Sequence, residues 1–198
     1  MASRILLMMG AILAAGAFPS VAHADEIAIT SPEDLWRDFD PEALPLELEK
    51  TERLPVSEHR IDKIRFTGEI VDDVKVRVFG YLGVPDAGKK VPGILHIHGG
   101  GQTASVEWVK FWNERGYACV SIDFCGPWAE RTEYTAWGPV EHANMAKAQG
   151  GFQIHPTPRA SSWYHWALVC RRALTVLSHE ANVDADRLGI LESAWGEP

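Results

Sequence analysis

The sequence predicts an α/β domain whose sheet opens with an antiparallel hairpin and continues as parallel strands with flanking helices. Three observations carry this reading. Hydrophobicity alternates with period two over residues 61–78, the apolar runs VPGILHIH, YACVSIDF and DRLGIL suit strands buried in a sheet, and stretches of helical period separate those runs. The chain has 198 residues and is 46% hydrophobic, enough for one domain with a real core.

The opening MASRILLMMGAILAAGAFPSVAHADE has one cation, Arg4, an apolar stretch from Ile5 to Phe18, and a small-x-small site at Ala22-His23-Ala24. That is the layout of a secretory signal peptide, residues 1–24, cut after Ala24. The apolar run is short for a bilayer and no stop-transfer flank follows, so a secreted or periplasmic product is expected, with no membrane association after cleavage. For an exported chain three cysteines are few; Cys119 in an apolar run and Cys170 in a helix pattern read as buried free thiols, with one disulfide at most.

Residues 25–60 are acidic and proline-punctuated, an N-terminal extension wrapped on a domain of residues 61–198, with short helical pieces at best. In the hairpin, Ile64, Phe66, Val74, Val76 and Val78 alternate with Lys75 and Arg77, and Asp72-Asp73 supplies the turn. After the strand that ends in glycines, ASVEWVKFWNERG places Val106, Val109 and Phe111 or Trp112 at helical spacing and stops at Gly116. YACVSIDF follows as a buried strand. In SSWYHWALVCRRALTVLSHE, Trp163, Trp166, Cys170, Leu174 and Leu177 form one stripe behind a Ser161/Ser162 cap, and DRLGIL is the third parallel strand. The stretch from Cys125 to Ala160 is too long for a plain connection. Its Trp128 and Trp137 either pack the loop down or bind a sugar or aromatic ligand.

With 27 acidic against 19 basic side chains the net charge is −8, so no basic patch awaits a phosphate backbone and neither nucleic acid nor an anionic membrane is an expected partner. His98-Gly99-Gly100-Gly101-Gln102 lies between a strand and a helix. Glycines let backbone N–H groups turn toward one point, and the helix N-terminus adds positive potential, so the motif suits a developing oxyanion. A nucleotide-binding turn would need the spacing G-x-G-x-x-G, which is absent. His96 and His98 share one face of a strand and could share a zinc ion only with further ligands; no metal is expected. Asp123, at the end of its strand, caps the following loop.

LHIHGGGQ, YACVSIDFCGP, the tryptophan-rich insertion and DADRLGI after an amphipathic helix together resemble the N-terminal part of α/β-hydrolases of the acetyl xylan esterase and dienelactone hydrolase type. The resemblance covers about residues 60–190. It implies a secreted serine esterase that needs no cofactor, in which a serine attacks an ester carbonyl and the N–H groups of Gly100, Gly101 and Gln102 hold the oxyanion. The implied substrate is a small or polysaccharide ester, acetylated plant polysaccharide above all, with His98, Trp128 and Trp137 as contacts.

Such enzymes place their serine in a G-x-S-x-G elbow. Here the candidate is Ser193, with Leu191 two before it and Trp195 two after it, where the strained turn needs small residues. The family's acid and histidine follow the serine in the chain, whereas His142, His155, His165 and His179 precede it. Leu191 to Pro198 can be encoded as CTG GAA TCA GCG TGG GGG GAA CCN, which in a frame offset by one base contains Gly-Ile-Ser-Val-Gly-Gly. The tryptophan and glycine codons force one of those glycines, and Glu192 forces another where the Leu191 codon ends in G; the serine is permitted by synonymous choices. A single-base deletion near Leu191 is therefore expected to have shifted the frame, leaving a truncated chain with little or no esterase activity. The alternative is a non-catalytic carbohydrate- or partner-binding protein on the same partial fold.

Overall fold

The structure, a computed structural model, describes residues 28–55, 58–128, 130–147 and 154–193. The expected signal peptide with its cleavage site, and Trp195 of the mismatched elbow, lie outside the described residues. The first element is α1 (Pro32–Trp36), opened by Ser31, whose hydroxyl accepts from the Asp34 N–H, with Pro32 where a missing N–H costs nothing. From there Trp36, Phe39, Leu46 and Leu48 lay apolar side chains against the core. The segment then enters β1 (Glu49–Leu54), a strand that period-two reading does not find. EKTERL shows no alternation because neither face is buried; pairing with the next strand and ion pairs of Lys50 with Glu180 (2.6 Å) and Glu52 with Lys63 (2.9 Å) hold it.

The expected hairpin is β2 (Arg60–Val71) and β3 (Val74–Val84), antiparallel, with Val71 opposite Val74. Asp72 and Asp73 form its two-residue turn at φ 49° and 61°, the left-handed values that match the twist of the flanking strands. Ile64, Phe66, Val76 and Val78 are fully buried, as the alternation requires, while Val74 at the tip is exposed. Each such buried side chain contributes about 1.5–3 kcal/mol.

Next come β4 (Val91–His98), α2 (Val106–Asn113) and β5 (Ala118–Ile122), the last buried at every residue. Ser105 caps α2, and Gly116 at φ 80° ends it in a conformation that a side chain would strain. After the long insertion, α3 (Ser162–His179) begins at the Ser161 cap, and β6 (Val183–Ser193) follows. The six strands are ordered β1-β2-β3-β5-β4-β6; β4 runs parallel to both β5 and β6, and β3 joins β5 antiparallel. This is a mixed, partial α/β sheet.

Two expectations change. The α3 stripe is rotated: Trp166, Val169, Ala173, Val176 and Leu177 face the sheet, while Trp163 is 55% exposed. Cys170 and Leu174 lie at the border and line a second apolar surface, because the helix is apolar on two sides and the sequence does not rank them. Trp137, a candidate substrate contact, is a core residue whose Nε1 donates to the Phe124 carbonyl at 3.1 Å; it packs the insertion down. Trp128 is 40% exposed.

Candidate active site

Three parallel strands bring their C-terminal ends together. In-register pairing sets His96 of β4 beside Ser121 of β5 and Leu191 of β6, and His98 beside Ser193. Both histidines are buried, and alternation along β4 sends them to one side, as expected. Each ring has its own partners, however. His98 Nδ1 is 2.7 Å from the Gly99 carbonyl, which can only accept, and Nε2 accepts from the Phe124 N–H at 3.3 Å. Those partners fix its tautomer. His98 also stacks on Phe124 with ring centroids 4.2 Å apart. Nε2 also lies 3.5 Å from the Asp123 Oδ1, so the ring is held between its own loop and a buried carboxylate, and His98 pins the strand end.

The glycine turn closes on itself. The Gln102 N–H donates to the Gly99 carbonyl at 3.1 Å, and the Gly99 N–H donates to the Gln102 Oε1 at 2.8 Å. Gly101 takes φ 76°. Of the three N–H groups expected to hold an oxyanion, that of Gln102 thus has a partner within the turn, which leaves those of Gly100 and Gly101. The Gly101 carbonyl is held by Arg131.

Asp123 caps the loop as expected, its Oδ2 accepting from the N–H groups of Gly126 (3.1 Å) and Thr135 (2.8 Å). Its Oδ1 has no hydrogen-bond partner among the described residues, and lies 3.9 Å from Arg131 Nη1, which has none either. Thr103 Oγ1 is a third unpartnered buried polar atom. Arg131, Thr103 and Ser193 all border a polar pocket of about 360 Å³ beside α2.

Ser193 Oγ lies 2.8 Å from His96 Nε2, and His96 Nδ1 lies 2.8 Å from Ser121 Oγ. The His96 ring stacks on Trp108, centroids 5.2 Å apart. Burial, with the neighbouring His98 secondary, pulls its pKa down to about 4, so the ring is neutral at pH 7. Sequence reasoning considered His96 only for zinc and did not consider Ser121. The sequence shows a histidine and a serine interrupting two largely apolar strands, but only the register sets them opposite each other. Elsewhere His165 pairs with Glu69 at 2.7 Å and His179 with Glu42 at 3.0 Å. The thiols are no rivals to the serine, since burial pushes Cys125 up to about 11 and Cys170 up to about 12. Among the described residues no group of three His, Cys, Asp or Glu side chains could hold a metal ion.

A larger apolar trough of about 640 Å³ runs between α3 and β6, bordered by Trp166, Leu174, Ile97 and Ile190, with Gly99 and Gly100 at one end. No helix among the described residues is long and apolar enough to cross a membrane.

No protein-family model matches the chain, and no curated protein matches it. Solved structures do. An acetyl xylan esterase from Paenibacillus sp. R4 is similar at TM-score 0.53 and 16% identity, over 77% of this chain and 47% of that one. Acetyl Xylan Esterase 1 from Thermoanaerobacterium sp. JW/SL YS485 is similar at TM-score 0.56 and 16% identity, over 81% and 49%. The chain thus spans about half the length of the esterases it matches. At this identity the likeness is one of fold, and the fold is of the α/β-hydrolase type.

Proposed function

We propose that this chain presents the substrate-facing end of a secreted serine carboxylic-ester hydrolase for acetylated polysaccharide, in a form whose serine does not sit in a working elbow. One observation carries the reading. Ser193 stands at the C-terminal end of β6, level with His98, so that the nucleophile candidate and the glycine turn leave adjacent parallel strands side by side. Acyl transfer needs that relation, because the oxyanion forms within reach of both groups. Leu191 and Trp195 in place of small residues, and a turn that uses its own N–H groups, support an inactive form. A frame shift near Leu191 accounts for the mismatch at the elbow.

The test has two parts. The purified chain is expected to hydrolyse p-nitrophenyl acetate no faster than its Ser193→Ala variant, and a Ser193-dependent rate would overturn the inactive form. Gene sequence through Leu191 to Pro198 and beyond is expected to read Gly-Ile-Ser-Val-Gly-Gly in the offset frame, followed by an open frame with an acid and a histidine. Its absence would remove the frame shift and leave a carbohydrate-binding protein. Thr103 and Arg131, polar residues that line the same pocket as Ser193, favour that second reading.

A further inference from the structure

We propose that Ser193 is a ligand-binding hydroxyl in this chain, its Oγ accepting from His96 Nε2–H and its own proton directed into the polar pocket beside α2, where an acetylated saccharide binds. The ligand class rests on the reading of function above; the proton placement rests on geometry alone.

Ser121 decides the placement. Its hydroxyl is fully buried in β5, accepts from the Ser105 N–H at 2.9 Å, and has one proton to give. The only acceptor that it reaches among the described residues is His96 Nδ1, at 2.8 Å. Buried hydroxyl protons are paired, so Ser121 donates to Nδ1 and the neutral ring carries its single proton on Nε2. Nε2 then donates to Ser193 Oγ across 2.8 Å. The opposite tautomer would turn the Ser121 proton away from its one acceptor in a site closed to water. A histidine already protonated at Nε2 cannot take the proton of Ser193, so the pair resembles a catalytic dyad in distance but not in direction.

What remains is the Ser193 proton at the border of a pocket that Tyr81, Trp108, Thr103 and Arg131 also line. Asp123, 3.9 Å from Arg131, offsets the guanidinium charge, which suits a neutral ligand rich in oxygen. An acetyl carbonyl and ring hydroxyls supply such oxygens, and an indole wall suits the apolar face of a sugar.

The decisive measurement is a long-range ¹H–¹⁵N correlation spectrum of the whole chain labelled at histidine. His96 is expected as the Nε2–H tautomer; the Nδ1–H tautomer would overturn the proposal. Titration with acetylated xylotriose, followed by tryptophan fluorescence, is expected to show binding that Ser193→Ala weakens about five- to tenfold, one neutral hydrogen bond, with no acetate released. Ser193-dependent acetate release would overturn the proposal while leaving the esterase reading standing. Binding of xylotriose equal to that of its acetylated form would overturn the acetyl contact. Absence of binding by either sugar, with the tautomer as proposed, would overturn the ligand class and the functional reading under it.

Discussion

Arg172 shows how much one side chain holds. Only 2% exposed, its guanidinium donates to the carbonyls of Pro41, Leu44 and Thr67, joining the N-terminal segment, β2 and α3. Burial lowers its pKa, with the charge of Glu42 opposing, and the three carbonyl dipoles receive the guanidinium protons. Arg172→Ala leaves those carbonyls unpaired and is expected to cost on the order of 3 kcal/mol in urea denaturation; a loss below about 1 kcal/mol would falsify this role. His96 gives the stability a pH dependence. Its folded pKa is depressed, to about 4, against about 6.5 unfolded. Its contribution is therefore complete above about pH 6.5 and is lost as pH falls toward 4, at up to about 1.4 kcal/mol per pH unit. His142, also depressed chiefly by burial, acts in the same direction. The urea midpoint is expected to fall between pH 7 and pH 5, and to fall less in His96→Asn. An equal fall in both proteins would show that His96 is not the group responsible.

The β2–β3 turn was legible because Asp-Asp sits between two alternating runs, and it also shows where an element is under strain. Both aspartates hold positive φ, at 49° and 61°. Aspartate tolerates this better than most residues, and glycine tolerates it without steric cost but loses more chain entropy on folding. Relief of about 1–2 kcal/mol of left-handed strain, less about 0.5–1 kcal/mol of added chain entropy, leaves Asp73→Gly stabilising by about 0.5–1 kcal/mol, a rise in melting temperature of a few degrees; a fall would mean that the Asp73 side chain and the glycine entropy outweigh the backbone relief. Strand β5 was legible for a related reason, since a central strand must be apolar on both faces. By contrast β1 carries no pattern, because it is an edge strand held by backbone pairing and charge. The α3 stripe was misread because a helix with two apolar sides has no unique moment. At the candidate site the glycine motif and Ser193 could be read from local sequence. The His96–Ser121 contact could not, since it depends on the register between β4 and β5, which are joined through α2.

At the scale of the molecule, the two edges of the sheet differ in kind. β1 presents Glu49, Lys50, Glu52 and Arg53 at one edge, and charge there discourages pairing with another chain. The opposite edge is β6, which among the described residues pairs only with β4. It carries Ile190, 61% exposed, beside the apolar trough under α3. Open backbone groups next to an apolar surface are the conditions for association, so β6 is the edge through which copies of the chain are expected to meet. Ile190→Lys places a charge on that edge and in the trough while leaving the buried Val183 and the pairing of β6 with β4 intact. Sedimentation velocity across a concentration series is expected to show association for the parent chain and much less for this variant. A charge reversal on the other edge, Lys50→Glu, serves as the control and is expected to leave association unchanged. Association that persists in Ile190→Lys but responds to Lys50→Glu would assign the sticky edge to β1 and show that charge alone does not protect it.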